Sequence, residues 1–358
     1  MYLDYLASTP INDNALNAMI EAYRIYYGNP SSSHEAGRLS SELVNRAQKF
    51  IADYLGAEPS EIIFTSGATE SNNLAIIGLA KLNISKGKHL ITSSIEHSCI
   101  LSIFNYLEKE GFEVTYLDPN PDGIIDEESI RQAIKPTTTL VSIMHVNNEL
   151  GTINSIRGIG ELCFENGIAF HTDAAQSVGK VPIDVLDDNL DALSASAHKF
   201  FGPKGIGFLY LRDARLLNIE PIIHGSGQQN DIRGGTIPTP LTIGMATALQ
   251  EFTYDSHKYS EIKELFLKQL DECGIVYTIN GKHTLSNVIN ITFETQEDYA
   301  VYTSQPSICV SQGSACNSNS IAASHVLTAL GLKPEQAFKT VRISFYDETL
   351  LTSAEIFK

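Results

Sequence analysis

IIFTSGATESNNLAIIGLAKLNISKGKHLIT, residues 62 to 92, decides the fold. IIFT (Ile62 to Thr65) and HLIT (His89 to Thr92) are short apolar runs of strand type, and Thr69 to Leu82 between them is helix-like. A strand, a glycine turn at Gly67, a helix and a second strand make one βαβ unit. The pattern recurs outward: VTYL (Val114 to Leu117), LVSIM (Leu140 to Met144) and IAFH (Ile168 to His171) continue it with run starts 25 to 28 residues apart. Helix-like stretches at Ser98 to Glu108 and Ser155 to Glu165 separate them. Strands alternating with helices at this spacing predict an α/β fold around a parallel sheet.

IGFLYL (Ile206 to Leu211) reads as a further buried strand, and a long helical segment begins near Gly244 to Phe252, where the pattern sets a domain boundary. Beyond it NVINITF (Asn287 to Phe293), a helix-like Ile321 to Leu330 and a strand-like TVRISF (Thr340 to Phe345) suggest a smaller α+β domain. Thr352 and Glu355 have the spacing of a capping box that announces a helix.

The 358 residues carry 42 acidic against 25 basic side chains, a formal net charge of −17. Such a surface repels phosphate backbones and anionic lipid, so no direct nucleic-acid binding is expected. No apolar run approaches the roughly 20 residues of a membrane span, and MYLDYLASTP lacks a basic leader region, so the protein reads as cytoplasmic, with no membrane partner. The five cysteines (Cys99, Cys163, Cys273, Cys309, Cys316) form no C-x-x-C pair, so zinc and iron-sulfur ligation have no support and no metal site is expected. Cys99, Cys163, Cys273 and Cys309 read as small buried hydrophobes. Cys316 differs, because SQGSACNSNS around it reads as a mobile loop.

Three features suggest chemistry. Lys199 sits among small residues in SASAHKFFGPKGIG, and a partly desolvated lysine has a lowered pKa and forms Schiff bases. TSGATESNN runs through Gly67 into a helix start whose free N–H groups suit a phosphate. Asp173, in HTDAAQSVGK, lies just past a buried strand, where open α/β sheets place ligands. An imine-forming lysine, a carboxylate for a pyridinium nitrogen and a phosphate cradle together are what pyridoxal 5'-phosphate requires.

Ten motifs then carry a resemblance along nearly the whole chain. They are LDYLASTP, GNPSSSHEAGR, FTSGATESNNLAI, the EH of SIEHS, SIMHVNNELGTI, HTDAAQSVGK, SAHKFFGPKGIG, IRGGT, VSQGSACNS and VRIS. In this order they resemble the cysteine desulfurases of the NifS/IscS type, within the class V, fold type I group of pyridoxal phosphate enzymes. The resemblance implies a large domain, residues 13–246, with a mostly parallel seven-stranded sheet flanked by helices. Residues 1–12 and 247–358 would form the small α+β domain.

It further implies that Lys199 holds the cofactor as an imine and that His97 stacks over its ring and assists proton transfer. Asp173 would pair with the ring nitrogen, and Asn148 and Gln176 would contact the ring near its phenolic oxygen. Ala68, Thr69, Ser196 and His198 would hold the phosphate, with Thr236 reaching the phosphate of a second copy in a homodimer. Arg342, with Asn148 nearby, would bind the substrate carboxylate; a salt bridge at a strand end is the plainer reading of that arginine. Cys316 would take sulfur from L-cysteine as a persulfide, leaving L-alanine, and pass it to an acceptor protein of iron-sulfur assembly or thiolation.

The sequence departs from the pattern at Ala197, where many members have Gly, and at SFYDET after Arg342, where a second arginine is absent. Relatives also continue further than the sixteen residues that follow Arg342, which predicts an altered small domain and acceptor surface. An aminotransferase, a cysteine or selenocysteine lyase, and a non-catalytic partner-binding paralogue of the same fold remain alternatives. The lyase and aminotransferase need Lys199 but no Cys316.

Overall fold

A computed structural model describes the chain except residues 313, 318, 319 and 358, and for 314–317 and 320–322 it describes the backbone only. Two helices open it, α1 (Asp13–Ile25) and α2 (Glu35–Leu55). The repeating unit follows: β1 (Ile62–Thr65), α3 (Ala68–Leu82), β2 (His89–Ser93), α4 (Ser98–Lys109), β3 (Glu113–Leu117), α5 (Glu127–Ala133), β4 (Thr138–Ser142), α6 (Ile156–Glu165) and β5 (Ala169–Asp173). β6 (Ala192–Ser196) and β7 (Gly207–Leu211) complete one seven-stranded sheet of order β1-β7-β6-β5-β4-β2-β3. β6, β5, β4, β2 and β3 pair in parallel, and only β7 runs against its neighbours. This is the mostly parallel α/β sheet expected. β2, β4, β6 and β7 are buried along their whole length, because helices cover both faces.

One packing core joins α2, α6 and α7 (Thr239–Glu251) to one sheet face, through Ile51, Leu55, Ile159, Leu162, Met245 and Leu249. Leu74, Leu79, Ile100 and Phe104 of α3 and α4 fill the other.

The chain continues through α8 (Ser256–Glu272), β8 (Tyr277–Ile279), β9 (Val288–Phe293), α9 (Gln296–Thr303) and β10 (Ser311–Gln312). β11 (Ser314–Asn317) and β12 (Ser320–Ala323) follow, then α10 (His325–Ala329), α11 (Pro334–Ala337), β13 (Thr340–Ser344) and α12 (Thr349–Ser353). A second sheet, β10-β13-β9-β8, is antiparallel. Its core is separate, built from Phe266, Ile289, Ile291, Phe293, Val341, Ile343 and Phe345. Leu3 joins that core, and bridges from Tyr2 to Cys309 and Asp4 to Ser344 lay the first residues along this sheet.

Three expectations are corrected. The helix-like run 321–330 divides into β12 and a short α10, with Ser324 capping α10 through bonds from the N–H groups of Val326 and Leu327 (3.1 and 3.3 Å). The loop read around Cys316 is an antiparallel hairpin, in which Cys316 opposes Ile321. Thr352 does not start a helix. It lies inside α12, which begins at Thr349, where Asp347 Oδ1 accepts from the Thr349 N–H at 2.9 Å.

Candidate active site

The carboxyl ends of β1, β5 and β6 meet at one edge of the large sheet. Gly207 pairs with Thr65 on one side and Ser196 on the other, so the turn after β1 and the turn after β6 become neighbours. The approach requires glycines. A Cβ on Gly207 would lie 2.7 Å from the Gly67 Cα, and Gly67 itself has φ +146°, a conformation L side chains rarely adopt.

Gly67 offers no side chain to cap α3, and the Ser71 N–H makes the first intrahelical bond, to the Gly67 carbonyl at 3.1 Å. The N–H groups of Ala68 and Thr69 ahead of it therefore remain for an anion, helped by the helix dipole. Ser196 and His198 line the same cavity. Burial is the first cause that lowers the His198 pKa, to about 4, and Lys199 beside it is the second.

Lys199 ends a single 3₁₀ turn, Ala197 to Lys199, directly after β6. Its Nζ donates to the carbonyls of Leu6 and Ala7 at 2.6 and 2.9 Å. Burial, then the nearby Arg342 charge, push its pKa down to about 8, close to where an amine is a competent nucleophile and base. Asp173, at the end of β5, is 5 % exposed. Its Oδ2 accepts from Asn72 Nδ2 at 2.8 Å and its Oδ1 from the Ala175 N–H at 2.9 Å.

Lys199, Asp173 and the α3 N-terminus open into one cavity of about 690 Å³. His97 reaches it from the N-cap of α4. Asn148, Gln176 and Arg342 line it as well. Arg342 Nη1 donates to the Asn148 carbonyl at 2.6 Å, and Nη2 to Asp4 Oδ1 at 2.6 Å and Ser311 Oγ at 2.8 Å. Asn148 Oδ1, Gln176 Oε1 and Arg342 Nε are buried without a hydrogen-bond partner among the described residues. Orphaned polar atoms around a cavity are costly unless a polar ligand completes them. An amine, a carboxylate, a helix N-terminus and these orphans match the aldehyde, ring nitrogen and phosphate of pyridoxal phosphate, so the residues present fit the group.

The structure thus brings Ala68, Thr69, His97, Asn148, Asp173, Gln176, Ser196, His198, Lys199 and Arg342 to one cavity. Thr236 is exposed and is not among the cavity's lining residues. Cys316 lies on β11, and its side chain is outside the described residues.

Several contributors have no role in the sequence reading. The segment Leu6 to Ser8 supplies the carbonyls that hold Lys199 and, through Ser8 Oγ, a 3.3 Å contact to His198 Nδ1. Glu70 of α3 forms a two-pronged ion pair with Arg233 at 2.7 and 3.3 Å, tying the cradle to the IRGGT segment. LDYLASTP and TSGATESNN contain these residues, yet neither motif says which atom each one meets.

The expected cysteine burial holds only in part. Cys163 is buried, Cys309 is exposed beside the N-terminal residues it pairs with, and Cys99 lines the cavity. Lining a polar cavity gives Cys99 a hydrogen-bonding environment that a cysteine packed in a core lacks.

Comparison with known proteins places this geometry in a family. The aminotransferase class-V model matches residues 1–356. The cysteine desulfurase IscS of Neisseria gonorrhoeae (strain ATCC 700825 / FA 1090) is 44 % identical over 100 % of this chain and 91 % of its own. A solved structure of SspA in complex with cysteine superposes with a TM-score of 0.90 at 46 % identity, covering 96 % of this chain and 98 % of that one. A NifS-like protein superposes with a TM-score of 0.90 at 31 % identity, covering 100 % and 98 %. The chain belongs to the class-V aminotransferase family and, within it, to the cysteine desulfurases of the NifS/IscS type.

Proposed function

We propose that the protein binds pyridoxal 5'-phosphate and removes sulfur from L-cysteine, giving L-alanine and a persulfide on Cys316. The observation that carries this reading is the opening of Lys199, Asp173, the α3 N-terminus and Arg342 into one cavity. The cofactor, when bound, supplies an electron sink next to the substrate's Cα.

The chain's residues do the rest. Ala68, Thr69, Ser196 and His198 hold the phosphate, Asp173 keeps a proton on the ring nitrogen, and Asn148 and Gln176 meet the phenolic side. Arg342 orients the substrate carboxylate by a charge-assisted bond. Lys199 Nζ, with its lowered pKa, takes the proton from Cα and returns one there. His97 holds a proton over the cavity. The Cys316 thiolate attacks the substrate sulfur, forming an S–S bond as the Cβ–S bond breaks. The electron pair of that bond stays with the carbon fragment, which leaves as alanine after protonation.

We further propose a homodimer in which Thr236, exposed on its segment, serves the phosphate of the second copy. An acceptor protein of iron-sulfur assembly or thiolation would take the sulfur. The separate core around Phe293 and Val341 supports a division into a large unit, 13–246, and a small one, 1–12 with 247–358. Among the described residues no helix is long and apolar enough to cross a membrane. The test is alanine release from cysteine by the pyridoxal phosphate-loaded protein, with and without a thiol reductant. Turnover that rises with reductant supports the reading, and an absence of alanine overturns it.

A further inference from the structure

We propose that Cys99, together with Asn72, is a positioning residue that holds His97 in the tautomer with its proton on Nε2. His97 Nδ1 lies 3.2 Å from the Cys99 N–H and 3.0 Å from Cys99 Sγ. A backbone N–H only donates, so Nδ1 is the accepting nitrogen and the ring proton sits on the other. The thiol's direction follows from its second neighbour. Asn72 Nδ2 also only donates, and it is 3.4 Å from Cys99 Sγ and 2.8 Å from Asp173 Oδ2. With Sγ accepting from the amide, the S–H is free to donate to Nδ1.

One chain of hydrogen bonds therefore runs from His97 through Cys99 and Asn72 to Asp173. Burial pushes the Cys99 pKa up to about 11, which keeps the S–H proton in place near neutrality. Four charged or titratable groups act on the His97 ring through their charge: Asp173 from β5 and Glu149 after β4 raise its pKa, while Lys199 after β6 and His325 of α10 lower it. Desolvation by the cavity walls is the largest influence and lowers it. The two donors on Nδ1 act in the same direction, because the imidazolium would have to displace them.

The consequence for the reaction rests on the desulfurase reading. His97 presents Nε2–H as a hydrogen-bond donor and has no free nitrogen to collect a proton, so it orients its neighbours at that atom and leaves proton removal to Lys199.

The experiment is a long-range ¹H–¹⁵N correlation on ¹⁵N-histidine-labelled protein, with His97 assigned by its absence in His97→Gln. The wild-type spectrum should show a protonated Nε2 and a lone-pair Nδ1 at neutral pH. An Nδ1–H tautomer or a doubly protonated ring overturns the proposal without any variant at Cys99. In Cys99→Ala the His97 titration midpoint should rise by about 0.4 to 1 pH unit, the worth of one neutral hydrogen bond. Cys99→Ser keeps a donor and should stay near wild type. Equal behaviour of the two variants would remove the thiol from the account. Should no alanine form at all, the desulfurase reading fails while the nitrogen shifts still decide the tautomer.

Discussion

Arg342 Nη2 and Asp4 Oδ1 lie 2.6 Å apart, pinning β13 to the chain's first residues at the cavity wall, with side chains 11 % and 19 % exposed. Both readings of Arg342 are therefore physically present in one residue: it sits in an ion pair and it lines the cavity. Two variants separate them. Asp4→Asn removes one partner of a mostly buried pair and should lower stability by up to about 3 kcal/mol while leaving KM for cysteine within a few-fold. Arg342→Ala should raise KM about ten- to more than hundredfold, from the loss of roughly 1.5 to 3 kcal/mol of charge-assisted binding. Lysine should rescue only in part, since it lacks the planar fork. Equal losses of stability with KM unmoved in both would leave Arg342 a structural residue.

Lys199 should carry the cofactor covalently. Its 3₁₀ turn aims Nζ at the cavity, and the Leu6 and Ala7 carbonyls fix it there. Lys180 is a real competitor, being buried with its pKa pushed down to about 7, chiefly by desolvation. However, it donates to the Gln176 carbonyl at 3.0 Å and is not among the cavity's lining residues. Borohydride reduction of the yellow protein followed by peptide mapping should label Lys199 alone, and Lys199→Ala should take up no covalent label. A label on Lys180 or Lys204 would move the site.

The fold was legible because β1, β2, β4, β6 and β7 of the large sheet are buried along their length, so that stretches such as IIFT and LVSIM read as apolar runs between helices. Periodicity failed where elements are short. Residues 321–330 contain apolar residues at helical spacing, but strand pairing in a hairpin takes the first of them and Ser324 caps a new start. The site was legible one residue at a time, through types that are unusual in their setting, such as Lys199 in a Gly/Pro-rich turn. What was not legible is the set of partners. Asp4, Asn72 and Cys99 act by meeting residues 338, 101 and 2 positions away, and only the tertiary fold makes two of those contacts neighbours.

Cys316→Ser should retain cofactor binding yet form little persulfide or sulfide. Serine is close in size to cysteine but is not the soft, readily ionised nucleophile that attack on sulfur needs. Cysteine should still perturb the cofactor's absorbance in this variant, because Lys199, Asp173 and Arg342 are untouched. Sulfide release near the wild-type rate would instead indicate a lyase that needs no protein thiol.

His145 gives the pH dependence of stability a sign. It is 3 % exposed, its Nδ1 has no hydrogen-bond partner among the described residues, and burial lowers its pKa to about 4. In the unfolded chain a histidine takes up a proton near pH 6.5, whereas the folded site resists until about 4. The unfolded state therefore gains protons first as the pH falls, so this contribution to stability is whole above 6.5 and is lost progressively down to about 4. The loss from this one site should reach about 2 kcal/mol by pH 5. His145→Leu removes the titrating group and leaves the backbone bonds of residue 145, to the Asp173 carbonyl and from the Asn154 N–H, in place. Urea unfolding at pH 7 and pH 5 should show wild type losing about 2 kcal/mol more than the variant over that interval. An equal loss in both proteins would mean that His145 is charged, or solvated, in the folded state.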